Sequence, residues 1–207
     1  MAYRLVLGGD EHTQKIAQAI ASADTKGYFD LLDRTNHFNK KIVDFFLAEK
    51  ISRYFINRGR KIYPLSGRDI DFEHSEKRIE ACNNYASAIE WAWSHENRSE
   101  AFAFRGETVL GLDDMIDNGI ADFTMAIICC SRHPFAYFGR ARTFLLWRNK
   151  FESEHKSPDN PFQPLLPMTY EAAEYDLGKA YHLFKNLGMN EIVEIVAKHQ
   201  EALKIPQ

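Results

Sequence analysis

Two arginine–histidine pairs are the residues best suited by type to do chemistry: Arg68 with His74 in "RDIDFEH", and Arg148 with His155 in "RNKFESEH". An imidazole near neutrality can act as general acid or base, and a guanidinium beside it can hold a phosphate by charge-assisted hydrogen bonds. That is the equipment of a metal-independent ribonuclease. The chain offers little else of this kind. "LVLGGDEH" suggests strand, glycine turn and helix, but it lacks the third glycine of a dinucleotide fingerprint. Asp10 and Glu11 would also repel a phosphate at that helix N-terminus, so Asp10 reads as a helix cap. Asp113 and Asp114 are adjacent, and adjacent helical positions point apart, so they form no carboxylate dyad. The eight histidines form neither H-x-x-x-H nor H-E-x-x-H, and there is no G-x-S-x-G elbow. No metal or cofactor is expected. Cys82 and the vicinal Cys129 and Cys130 fit buried, reduced thiols better than a disulfide framework.

Charge argues in the same direction. The net charge is −3, whereas dedicated nucleic-acid binders carry a basic surplus. The most basic stretch is "ISRYFINRGRKIYP", with Arg53, Arg58, Arg60 and Lys61 among Tyr54, Phe55 and Tyr63. Phosphate contact plus base stacking would use this mixture, but cations also belong at a helix C-terminus, facing its negative dipole end. The opening residues hold too short an apolar run for a signal peptide. The longest apolar stretch, 123–130, is too short for a bilayer. A cytoplasmic protein is expected.

The elements that must position these residues are helices. Apolar residues recur at three and four over about 36–58, with Gly59 as a C-terminal stop, and again from Ser75 to about His95. Further helices are expected over about 99–112, from Ile120, from Phe135, over 172–184 and over 189–204, with "DNG" at 117–119 as a tight turn. Long loops are expected at about 59–74 and 152–168. In the second of these, Pro158, Pro161, Pro164 and Pro167 recur every third residue, the period of a polyproline rod.

"RSEAFAFRG" and "HPFAYFGRA" repeat one small–aromatic–Arg–Gly phrase and place Phe104 and Phe138 one helical repeat apart. With Ala101, Gly106, Phe123, Ala126 and Pro134 in one unit, and Ala136, Tyr137, Ala141 and Phe144 in the next, the chain resembles the tetratricopeptide (TPR) repeat family. Ala173 and Ala180 extend the second unit. The match covers roughly 99–145 and 169–186; the Trp-Leu-Gly of that family is degraded here. The resemblance implies an all-α, TPR-like right-handed array of antiparallel helix pairs, about eight or nine helices in one domain. Residues 1–95 would be a divergent helical part, 99–186 the repeats and 189–204 a capping helix.

By the same resemblance, the first helix of each pair lines a concave groove, here carrying Arg105, Glu107, Phe138, Arg140, Arg142 and Trp147. Such a groove would suit another protein or a peptide segment, acidic or C-terminal. Alternatively, these arginines pair with nearby acids such as Asp122, Glu171 or Glu174. The expected function is a non-enzymatic, protein-binding adaptor without a cofactor. The alternative is an RNA-binding protein, or a ribonuclease resembling the HEPN family, using the Arg/His pairs.

Overall fold

The computed structural model describes residues 37–63, 75–110, 115–154 and 165–204. Within them lie seven helices: α1 (His37–Ile62), α2 (Ser75–Trp91), α3 (His95–Val109), α4 (Ile116–Cys129), α5 (Pro134–Glu154), α6 (Leu165–Asn186) and α7 (Asn190–Lys204). Consecutive helices pack antiparallel, giving three layers, α1/α2, α3/α4 and α5/α6, with α7 laid against α6. The first helices also touch across layers, α1 with α3 and α3 with α5; the second helices α2, α4 and α6 approach one another less closely.

Small residues make this stacking possible. Ala81, Ala88, Ala101, Ala126, Ala136, Ala141, Ala173 and Ala180 are all fully buried, so helix axes can close together along them. Gly59 and Gly139 go further. A Cβ at Gly59 would lie 2.6 Å from the Tyr85 ring, and one at Gly139 would lie 2.2 Å from the Phe123 ring. Phe123 also lies against Gly106 of its own layer, so one aromatic ring fills the seam between two layers.

The repeat register follows the two phrases end to end and is one residue longer than the Phe104–Phe138 spacing. Arg105 corresponds to Arg140, Phe102 to Tyr137, Gly106 to Ala141 and Thr108 to Thr143, by burial and bonding. Phe104 and Phe138 are therefore not equivalent. Phe104 stacks on Tyr85 of the preceding layer, whereas Phe138 meets Phe184 of α6 and His199 of α7. A one-residue slip turns a helical side chain by about 100°, enough to face the opposite neighbour.

The first layer obeys the same register, which the sequence pattern shows only as generic helices. Ser52 Oγ donates to the Ala88 carbonyl at 2.8 Å, as Ser99 Oγ does to Ala126 at 2.7 Å. Tyr85 occupies the place of Phe123, and Gly59 that of Gly106.

Several element boundaries move. Gly59 does not stop α1, which runs on to Ile62, because the glycine is needed for close approach to Tyr85. The expected 59–74 loop thus loses its first residues to helix. "DNG" is the first turn of α4 rather than a tight turn. α3 begins at His95 because Ser94 caps it, accepting from the Asn97 N–H at 3.2 Å. α5 extends to Glu154 and α6 starts at Leu165, so the expected 152–168 loop is cut at both ends. Pro167 lies in the first turn of α6, where a missing N–H costs nothing. α6 ends in a Schellman turn: Met189 N–H donates to Phe184 O, Gly188 N–H donates to Lys185 O, and Gly188 takes φ 70°. The capping helix then follows as expected, burying Val196 and Leu203. The readings made on the first 36 residues, on Arg68, His74, Asp113, Asp114 and His155, and on Pro158, Pro161 and Pro164 lie outside the described residues.

Candidate functional site

Most of the expected groove residues are already engaged. Arg105 meets Asp122 of α4 side-on, Nε to Oδ2 at 2.8 Å and Nη2 to Oδ1 at 2.6 Å. Arg140 repeats this fork on Asp176 of α6 at 2.7 and 2.9 Å, and its third nitrogen donates to Thr124 of α4 at 3.2 Å. Both aspartates are buried. The hydrogen bonds they donate to Asp122 and Asp176 hold the two guanidiniums further into their charged form against the opposing effect of burial. These two arginines therefore tie helices together. The expectation that Asp122 neutralises one of them is met; Arg140 uses Asp176 rather than Glu171 or Glu174.

The remaining four residues fall in two groups. Arg142 of α5 donates to Glu107 of α3 at 2.8 Å, crossing from one first helix to the next. Both side chains are partly exposed. Phe138 lies beneath the Arg142 guanidinium, 5.6 Å from its ring centre, with His199 on its edge, so it is a seam residue. Trp147 is half-buried on the C-terminal half of α5.

The same first-helix face carries a second set of cross-ties between α1 and α3. Arg53 bonds both Glu100 and Asn97. Glu49 accepts from the Trp93 N–H at 2.7 Å and from the Ser94 hydroxyl at 2.7 Å, and also from the Ser94 N–H and the Asn97 side chain. Arg60 lies over Phe104, 5.1 Å from its ring centre. The basic stretch around Arg53 is thus partly spent on α3, and Arg58 reaches Glu80 at 3.5 Å. Glu49, Asn97 and Glu100 carry no local signal in the sequence. Their partners stand more than forty positions away, so only the layering brings them together.

Burial raises the Cys82 thiol to about 11, out of the nucleophilic range near neutrality. Burial lowers the affinity of His133 for protons, and its Nδ1 accepts from the Ala136 N–H at 3.1 Å, capping α5. Arg148 lies over Tyr170, 5.2 Å from its ring centre. Among the described residues no cluster of His, Cys, Asp and Glu is suited to a metal, and no helix is long and apolar enough to cross a membrane. Comparison with family models, curated proteins and solved structures found no match.

Proposed function

We propose that the chain is a non-enzymatic adaptor, a TPR-like right-handed stack that binds a protein or peptide segment along its first-helix face. The layers support this reading. Each has a seam of small residues in the same register, and the first helices crowd together while the second helices stand further apart. A stack built that way bends toward its first helices and makes that side the concave one.

One observation carries the proposal. In the charged pairs on that face, Arg53–Glu100 and Arg142–Glu107, both partners are partly exposed, whereas the acids of Arg105–Asp122 and Arg140–Asp176 are buried. Pairs open to water contribute only about 0–1 kcal/mol, so exchanging them for a partner's charges costs little. An acidic segment would take Arg142 and Arg53, releasing Glu107 and Glu100 to solvent or to basic residues further along it. Affinity capture with the intact protein, followed by titration of each recovered protein, tests this. Binding should saturate and should fall about tenfold or more when Arg53 and Arg142 are both changed to Glu. Failure of the wild type to hold any protein saturably, or indifference to this double change, would overturn the proposal.

A further inference from the structure

The second helices differ in what they turn to solvent. On α4 the outward positions are Ala121, Met125 and Ile128, all exposed, with Ile128 at 68%. The equivalent positions are Asn83, Ser87 and Glu90 on α2, and Tyr175, Lys179 and His182 on α6. Only the central second helix has an aliphatic outer face, and a helix apolar on its outer side as well as its inner side asks for cover. Asp117, exposed in the first turn of α4, continues the stripe at the same spacing of three and four. Arg132 stands exposed just past the other end of the helix.

We propose that this stripe is the seam of a homodimer, α4 packing antiparallel on α4 of a second copy. The stripe is complementary to its own reverse. Turned end for end, it sets the small Ala121 against the bulky Ile128 of the other copy and brings Met125 near its counterpart at the two-fold axis. It also sets Asp117 against Arg132, and symmetry makes each contact twice. A parallel arrangement would instead place Asp117 against Asp117. The charge at each end of the stripe thus selects both the occupant and its direction. The seam lies on the second-helix side, opposite the face assigned to the peptide, so dimerisation leaves that face open on both copies. The stripe is narrow beside the roughly 1,600 Å² of a standard stable interface, so the dimer forms with concentration.

Sedimentation velocity of the full chain, from about 5 to about 500 µM, tests this. The wild type should pass from monomer to dimer across the series. Ile128→Glu should stay monomeric throughout; because Ile128 is exposed, its far-UV dichroism and melting temperature should match the wild type. Asp117→Arg should weaken association about tenfold, and adding Arg132→Asp should restore it to within about threefold. The inference is overturned by a wild type that stays monomeric, whether another segment of the chain or a different protein covers α4. It is equally overturned by a dimer that ignores Ile128→Glu, or by a double reversal no better than Asp117→Arg alone.

Discussion

The first layer and the third layer are built on one packing plan and fastened differently. In the third, Arg140 is forked onto the buried Asp176 and also reaches Thr124, so one guanidinium joins α4, α5 and α6. In the first, the equivalent of Asp176 is Asn84, whose amide turns back to the Glu80 carbonyl at 2.7 Å. Arg58, the equivalent of Arg140, meets Glu80 at 3.5 Å near the surface. The small-residue seam is common to both: Gly59 and Ala88 in one, Ala141 and Ala180 in the other. Shape is thus what the layers require, and the buried ionic fastening is an addition that one layer does without.

The largest effect should come from breaking that fastening. Asp176→Ala leaves the Arg140 guanidinium enclosed without its carboxylate and should cost about 3–5 kcal/mol in chemical denaturation, enough to unfold the third layer. Asn84→Ala in the first layer should cost no more than about 1 kcal/mol, since it removes one hydrogen bond to a helix carbonyl. Equal losses would show that the two layers are fastened alike after all.

Next comes the seam. Gly139→Ala should cost about 1–3 kcal/mol, because the new methyl meets the Phe123 ring and neither helix can withdraw freely. Gly178→Ala, with nothing within 4 Å, should instead stabilise by about 0.5–1 kcal/mol. Thermal melts of the two variants should move in opposite directions.

The aromatic at the heart of the first two layers allows a finer test. Tyr85 and Phe123 are equivalent, but the Tyr85 hydroxyl is buried and approaches Thr108 without completing a hydrogen bond, and burial pushes its ionisation well above the usual phenol range. Tyr85→Phe makes the first layer resemble the second and should stabilise it by about 1 kcal/mol. A loss of similar size would mean that the hydroxyl is satisfied in solution.

The smallest effect depends on pH. Burial lowers the affinity of His133 for protons, and only the neutral ring can accept the Ala136 N–H. Its contribution is therefore complete above the ordinary imidazole value of 6.5 and is lost as the pH falls below it, through the lower folded-state value. The cap is worth about 1 kcal/mol. His133→Asn keeps a capping oxygen and should flatten this part of the stability–pH curve relative to the wild type.

The helices were legible because their apolar spacing is local. So was the pairing of α3 with α4, where Ala101, Gly106, Phe123 and Ala126 all prove buried. The register was legible in the small residues, Ala101 with Ala136 and Gly106 with Ala141, but not in the aromatics. Matching Phe104 to Phe138 follows the most conspicuous letters, whereas burial follows the arginines one position on. Gly59 misled in a related way: a glycine that ends a helix and a glycine that admits a neighbouring ring look the same in one dimension. Arg105 and Arg140 were conspicuous as charges, and Asp122 was legible as a partner for one of them, but Asp176, 36 positions from Arg140, was not. The first-helix cross-ties were invisible for the same reason. Glu49 and Asn97 are unremarkable letters until stacking sets them side by side.

The Phe123 ring belongs to two layers at once, seated against Gly106 on one side and Gly139 on the other. A repeat stack whose units touched only lightly would fray from its ends, one hairpin at a time. Here the departure of α5 would strip one wall from the hydrophobic centre of α3/α4, so loss of the third hairpin destabilises the second. Amide protons in α4 and α5 should accordingly exchange with solvent at a common rate, as a single cooperative unit.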